Sequence, residues 1–298
     1  MAAAVTPDRV LNDLSRLWRE LSQQRDQTHE GVLRACAMTL IATVDETADA
    51  QSAAALVAQL MHDHPSRAII LKVVDEPDRD LDASVSAQCW SPFAPGRQIC
   101  CEQINIAAPE HLLADVPKFL LGLVAPDVPV VLWVRCPGIT AHPEFENVFP
   151  LAGKVIVDSE CFSDPQRGYA FVVDSNRRGL NVVDLAWTRL TPLRQAIAAA
   201  FDGDSVHLAL DGIREVTITG APAGHAAATY LASWIRNALP RARVNIETSG
   251  PPQIAIRGDN LSAEIALTRV AERSEEQLLR EELGITGPDP IFRKCLEL

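Results

Sequence analysis

Short runs of consecutive apolar residues recur through the first half of the chain, and they predict buried β-strands. These runs lie at residues 38–44, 68–74, 128–134 and 154–157. Between the first two, residues 50–61 place apolar side chains at helical spacing. A strand, a helix and a second strand joined by short links form a βαβ unit, so the first two strands should pair in parallel.

Alternation of polar and apolar side chains marks a second type of strand at residues 83–90 and 98–106. The segment between them, SPFAPGR, is rich in turn-forming residues. This pattern predicts an antiparallel hairpin attached to the parallel sheet.

The amino-terminal segment has the pattern of an amphipathic helix. Thr6 and Pro7 suit its start. Apolar residues then recur at helical spacing from Val10 to Leu21. Because this helix presents one apolar stripe, it should pack on the domain body or on a partner chain.

The pattern changes after residue 203, where Asp202, Gly203 and Asp204 follow a helix predicted over 192–201. Beyond it, short strands are predicted at 206–210, 215–219, 243–247, 253–257 and 263–270, with helices at 223–239 and 274–283. We expect these strands to form an antiparallel sheet covered by helices. The predicted fold class is therefore α/β. Residues 1–203 would form a doubly wound, mainly parallel sheet with an antiparallel hairpin, and residues 204–298 a smaller α+β domain.

The overall charge narrows the classes of partner. The 298 residues include 27 Lys and Arg against 39 Asp and Glu, which gives a net charge of −12. Such a balance argues against nucleic acid and against an anionic membrane surface as partners. No apolar run approaches the ~18 residues of a membrane-spanning helix, and the amino terminus lacks the pattern of a secretory signal. We therefore predict a cytoplasmic protein.

The cysteine pattern predicts free thiols. There are 7 cysteines, an odd number, and no CxxC motif. Cys100 and Cys101 are neighbours in a predicted strand, so their side chains should point to opposite faces and not bridge each other. We expect no disulfide and no zinc site.

Motifs for nucleotide binding or nucleophilic catalysis are absent from the sequence: there is no GxGxxG, no GxxxxGK[ST] and no GxSxG. The carboxyl ends of the predicted parallel strands carry six acidic residues and one main cation, Arg135. The acids are Asp45, Glu46, Asp75, Glu76, Asp158 and Glu160. Such a surface repels phosphorylated ligands. It could hold a divalent metal, but acidic residues after strands more commonly cap the next helix or face water. We expect no catalytic residue, no cofactor and no metal.

Four segments together resemble one protein family. They are HPSRA at 64–68, ICCEQINI at 99–106, VPVVLWVRC at 128–136 and DLAWTRLTPLR at 184–194. With them the chain resembles the glucose-6-phosphate dehydrogenase assembly protein OpcA family. The last segment is the most specific, because its Trp, Arg and Thr-Pro residues at that spacing have no generic structural need. Leu193 departs from the family, which often has Trp there.

The resemblance implies a non-catalytic protein that binds and activates, or helps assemble, glucose-6-phosphate dehydrogenase in the oxidative pentose phosphate pathway, which makes NADPH. The candidate partner-binding residues are Trp187, Arg189, Arg194 and Arg67, since Trp and Arg are enriched at binding hot spots. Two alternatives stay open. Trp187 could be a core residue, with Arg189 paired to an internal acid such as Asp184. The protein could also be an enzyme or a sugar-phosphate sensor that uses the α/β crevice.

Overall fold

The chain forms two compact units in a computed structural model. The model describes residues 5–26, 31–44, 50–91, 97–201, 212–221, 225–259, 262–267, 273–285 and 287–297. The first unit comprises residues 1–157 with 180–182, and the second comprises 158–179 with 183–298. The units thus divide earlier than the predicted boundary after residue 203, a position that itself lies outside the described residues.

The first unit is built on a mainly parallel sheet. Its strands are β1 (Gly31–Arg34), β2 (Met38–Val44), β3 (Ser66–Val74), β4 (Asp82–Trp90), β5 (Arg97–Pro109), β6 (Val130–Val134) and β7 (Lys154–Val157), and its helices are α1 (Pro7–Asp26), α2 (Ala50–Leu60) and α3 (Val116–Leu121). The strand order is β1-β5-β3-β2-β6-β7-β8, where β8 is Val182–Asp184. The chain passes from the first unit into the second within β8, after Val182. The neighbouring pairs from β1 to β7 are parallel, and β4 alone pairs antiparallel, with β5. This confirms the predicted doubly wound sheet with a hairpin.

Burial of the central strands explains why they consist of continuous apolar runs. Six of the seven residues of β2 and all four of β7 are buried. A parallel sheet is covered on both faces, so neither face of these strands needs polar side chains. Helix α1 packs against β1 and β4, and Val10 and Leu14 are buried there. The apolar stripe of α1 therefore lies on its own unit.

The prediction of free cysteines is wrong at one pair, because Cys89 and Cys100 form a disulfide. The two residues are directly opposite each other in the antiparallel pairing of β4 with β5, with their Cα atoms 4.1 Å apart. The sequence reasoning compared only the adjacent Cys100 and Cys101 and overlooked pairing across the hairpin. The other five cysteines form no disulfide, and burial raises the pKa of one of them, Cys101, to about 11.

The disulfide predicts a specific thiol count. Unfolding the protein without a reductant should expose five reactive thiols rather than the 7 present in the sequence. Replacing both Cys89 and Cys100 with Ser should leave that count at five and lower the free energy of unfolding by about 2–3 kcal/mol, because the bridge closes a short loop. Titration with a chromogenic thiol reagent in denaturant measures the count. A value of seven for the protein as purified under air would show that the bridge does not form.

The second unit contains a separate, smaller sheet, as predicted. Its helices are α4 (Pro165–Arg177), α5 (Leu185–Arg189), α6 (Thr191–Phe201), α7 (His225–Ala238), α8 (Glu275–Gly284) and α9 (Pro290–Leu296), and its strands are β9 (Ile213–Thr219), β10 (Arg243–Glu247), β11 (Gln253–Gly258) and β12 (Ser262–Ala266). The strand order is β10-β9-β11-β12. The strand predicted at 206–210 lies outside the described residues.

One pairing in this sheet corrects the prediction of an antiparallel sheet. Strand β10 is parallel to β9, whereas β11 is antiparallel to both of its neighbours. Helix α7 connects β9 to β10, and a helical crossover returns the chain in the same direction. The sheet is therefore mixed. Among the described residues, no helix is both long and apolar enough to cross a membrane.

Candidate partner-binding segment

Residues 184–194, the most specific part of the resemblance, form α5 and the first turn of α6. Asp184 precedes α5 and caps it. Its Oδ1 accepts hydrogen bonds from the backbone N–H groups of Ala186 (2.9 Å) and Ser159 (3.0 Å), and its Oδ2 accepts one from the Tyr230 hydroxyl (2.7 Å). Complete burial raises the pKa of Asp184 above its ordinary value, against the lowering effect of these hydrogen bonds. Asp184 thus joins α5, α7 and the segment before α4.

Trp187 is part of the core of the second unit. Only 3% of it is exposed. Its ring lies 5.3 Å from that of Phe292 and 6.1 Å from that of Tyr230, measured between centroids. The indole N–H donates a hydrogen bond to Asp289 Oδ2 at 2.9 Å. The alternative in which Trp187 is a core residue is therefore the one that the structure supports.

Two threonines of the segment bind the acidic face of α8. The Thr188 hydroxyl donates to Glu282 Oε1 at 2.6 Å, and the Thr191 hydroxyl donates to Glu281 Oε1 at 3.0 Å. Arg273 adds a third link by donating to the Thr188 carbonyl at 3.2 Å. Through these contacts, the two threonines hold α5 and α6 against α8.

Arg189 is only partly buried and binds two acidic residues at once. It donates to Asp158 Oδ2 at 2.7 Å and to Glu160 Oε2 at 2.8 Å, and 32% of its side chain stays exposed. The internal acids that pair with it are thus Asp158 and Glu160 rather than Asp184. Burial alone would lower the pKa of Arg189, but the hydrogen bond and charge of Asp158 and the charges of the other two acids raise it.

Arg194 lies over the face of Trp187, with its guanidinium carbon 3.4 Å from the ring centroid. One terminal nitrogen donates to Thr191 Oγ1 at 3.1 Å, whereas Nε is buried without a hydrogen-bond partner among the described residues. Burial lowers the pKa of Arg194, although the nearby acidic residues oppose that shift. A guanidinium that is stacked on one face can still donate hydrogen bonds from its terminal N–H groups to a carboxylate.

Arg67, the fourth candidate, is inside the first unit and only 6% exposed. Its Nε donates to Glu102 Oε2 at 2.7 Å, and a terminal nitrogen donates to the Leu123 carbonyl at 2.7 Å. Glu102 also pairs with Arg34 and accepts a hydrogen bond from the indole of Trp18 at 2.6 Å. Arg67, a candidate for partner binding, thus neutralises a buried carboxylate inside the first unit.

Of the acidic residues predicted at the carboxyl ends of the strands, those that the structure describes do not form a common metal site. Asp45 and Glu46 lie outside the described residues, and Asp158 and Glu160 are the partners of Arg189. Glu76 pairs with Arg79. Within the described parts of the chain, no group of three or more His, Cys, Asp or Glu side chains could hold a metal ion.

Sequence reasoning did not find the partners of the segment, namely Tyr230, Glu281, Glu282 and Asp289. Each lies dozens of residues from the group it binds, so no local spacing reveals the contact. The available signal was the capping box at Ser274, which predicts the start of the helix at 274–283 and which the structure confirms.

Comparison with known proteins gives a consistent assignment over most of the chain. Residues 57–172 match the family model described as the glucose-6-phosphate dehydrogenase subunit N-terminal domain, and residues 180–296 match the corresponding C-terminal domain. The border between the two matches lies near the division between the compact units, and the predicted boundary after residue 203 falls within the second match.

Curated relatives come from cyanobacteria and carry the name "Putative OxPP cycle protein OpcA". The protein from Synechocystis is 27% identical over 179 residues, which is 59% of this chain and 37% of that protein. The one from Synechococcus elongatus is 27% identical over 235 residues, which is 76% of this chain and 49% of that protein. The matches thus span half or less of these relatives' length.

Solved structures offer only a distant likeness. The WlbA dehydrogenase from Thermus thermophilus, in complex with NAD and α-ketoglutarate, is 13% identical, with a TM-score of 0.42 and coverage of 87% of this chain and 93% of that one. No conclusion about this chain is drawn from that likeness. The two family matches, in chain order and together covering most of the sequence, establish that the chain belongs to the glucose-6-phosphate dehydrogenase assembly protein OpcA family.

Proposed function

We propose that the protein is a non-catalytic regulatory or assembly subunit that binds and activates glucose-6-phosphate dehydrogenase in the oxidative pentose phosphate pathway. The observation that carries this proposal is the pair of family matches, at 57–172 and 180–296, which both describe a subunit of that enzyme. On this proposal the protein works in the cytoplasm, as an allosteric activator that increases the supply of NADPH.

Of the four candidate residues, we propose Arg189 and Arg194, rather than Trp187 and Arg67, as those that contact the enzyme. Trp187 and Arg67 are almost completely buried. Arg189 keeps about a third of its side chain exposed, at 32%, and Arg194 is also only partly buried. Arginine with a partly exposed edge can form a bidentate pair with a carboxylate of a partner. We therefore place the proposed contact at these two arginines.

Replacing Arg189 with Ala should weaken activation of the enzyme beyond any effect on stability. At a binding hot spot this truncation costs ~2 kcal/mol or more, roughly thirtyfold in affinity. It also leaves Asp158 and Glu160 without their cation. Part of the loss will therefore be structural, and a control variant has to separate the two effects.

Glu160→Gln is the matched control, because it breaks one of the same ion pairs and keeps the arginine. We expect this variant to lower the melting temperature yet to activate the enzyme with an affinity within about twofold of the wild type. The measurement is the enzyme rate at increasing concentrations of each variant, beside its thermal denaturation. Equal losses of affinity in the two variants would assign Arg189 a purely structural role.

A titration of purified glucose-6-phosphate dehydrogenase distinguishes this proposal from the enzyme or sensor alternative. The initial rate of NADPH formation is followed while the full chain is added. A saturable change in rate supports the regulatory role. Turnover or sugar-phosphate binding by the chain alone, with no effect on the enzyme, would favour the alternative.

A further inference from the structure

One segment of this acidic protein carries positive charge without any acidic residue. Between Glu215 and Glu247 the sequence contains no Asp or Glu, although the chain has 39 of them. The same stretch contains three arginines, Arg236, Arg241 and Arg243. The segment forms the end of β9, helix α7 and strand β10 in the second unit.

Two of these arginines, Arg236 and Arg243, line a concave site where α7 ends and β10 begins. The pocket has a volume of about 490 Å³. It is lined by Arg236, Asn237, Pro240, Ala242, Arg243 and Val244. Arg236 and Arg243 are exposed, and neither forms an ion pair with a described residue. Two guanidinium groups without counter-ions thus face the same pocket.

Helix α9 extends the positive surface beside the pocket. It packs against α7, where Asn237 Nδ2 donates to the Lys294 carbonyl at 3.1 Å. Its sequence, PIFRKCL, contains no acidic residue, and the side chains of Arg293 and Lys294 are exposed. The helix that carries these cations thus contacts Asn237, one of the residues that line the pocket.

A structural role accounts for one of the two arginines that line the pocket but not for the other. Arg236 occupies the last turn of α7, where a cation interacts favourably with the helix dipole. Arg243 is opposite Glu215 in the pairing of β10 with β9. However, the Glu215 carboxylate accepts from Asn245 Nδ2 at 2.9 Å and lies 3.9 Å from Arg257. Arg243 thus remains without a structural partner.

We propose that this pocket binds the phosphoryl group of a small ligand, with Arg236 and Arg243 as its anion-binding residues. Paired guanidinium groups match the geometry of phosphate oxygens and stay charged at every physiological pH. The pocket volume of about 490 Å³ falls within the range of small-molecule sites, so the ligand is a phosphorylated metabolite rather than a protein. The residues that line the site are not those of the candidate segment at 184–194, and the proposal does not depend on the proposed binding of the dehydrogenase.

The test is calorimetric titration of the full chain with pyrophosphate at an ionic strength of ~0.15 M, where charges more than ~8 Å apart are largely screened, with citrate as a carboxylate comparison. The double variant R236A/R243A removes the proposed ligand-binding pair. The matched control R167A/R177A removes the same charge from exposed positions of α4 in the same unit, each of which has only an ion pair of 3.7 Å or longer. Thermal denaturation verifies that all variants fold.

We expect the wild type to bind pyrophosphate at one site and R236A/R243A to lose about tenfold or more in affinity. The control R167A/R177A should stay within about twofold, because long-range charge effects are weak in water. Equal losses in both double variants, or no binding by the wild type at millimolar pyrophosphate, would overturn the proposal. Equal affinity for citrate and pyrophosphate would overturn the assignment to phosphoryl groups.

Discussion

Replacing Glu102 with Ala should destabilise the first unit by about 3–5 kcal/mol, because it leaves a buried arginine without its counter-ion. Only 2% of Glu102 is exposed, and its carboxylate neutralises Arg67 and accepts the Trp18 indole N–H. In this variant Arg67 loses its hydrogen bond to Glu102 and keeps, among the described residues, the one to the Leu123 carbonyl. Chemical denaturation followed by circular dichroism measures the loss.

Two further variants isolate the cause of this loss. Glu76→Ala breaks an exposed ion pair with Arg79 and should cost no more than ~1 kcal/mol. Adding Arg67→Met to Glu102→Ala removes the unpaired charge and should restore part of the stability. A loss for Glu102→Ala that is no larger than that for Glu76→Ala would show that the buried cluster does not stabilise the unit.

Replacing Asp184 with Ala should cost about 3–5 kcal/mol in the second unit, because three buried donors lose their acceptor at once. These donors are the backbone N–H groups of Ser159 and Ala186 and the Tyr230 hydroxyl. The matched control is Asp164→Ala, which removes a half-exposed cap from α4 and should cost about 1 kcal/mol. Similar losses for the two variants would contradict the central position of Asp184.

The variant D184N adds a test of pH dependence. Burial raises the pKa of Asp184 in the folded protein above its ordinary value of 3.8, so the folded state binds this proton more tightly than the unfolded state does. Protonation of Asp184 therefore stabilises the folded protein increasingly as the pH falls through the pKa that this residue has in the folded state. That stabilisation is lost as the pH rises through the same pKa. Because D184N lacks this titration, the stability advantage of the wild type over it should increase toward acidic pH. An advantage that does not change with pH would contradict the shift.

Local patterns were sufficient to predict most strands of the first sheet. Consecutive apolar residues defined β2 and β7 to the residue, because a strand buried on both faces tolerates few polar side chains. The short strand β1 lacked such a run and was missed. The direction of β10 was also missed, since it depends on which strand it pairs with rather than on its own sequence.

The candidate site was less predictable, because its contacts join distant parts of the chain. Residue type suggested that Trp187 binds a partner, but Asp289 and Phe292 bury it within the second unit. The Cys89–Cys100 bridge, in contrast, had a usable signal. Both cysteines lie in the predicted hairpin at similar distances from its turn, so antiparallel pairing would have placed them opposite each other.

Direct association with glucose-6-phosphate dehydrogenase is the measurement that tests the proposed function most simply. The fluorescently labelled full chain is sedimented alone and with increasing amounts of the purified enzyme. The proposed function predicts a faster-sedimenting species that contains both proteins and whose fraction saturates as the enzyme concentration rises. A chain that sediments unchanged at every enzyme concentration, while the enzyme retains full activity, would contradict it.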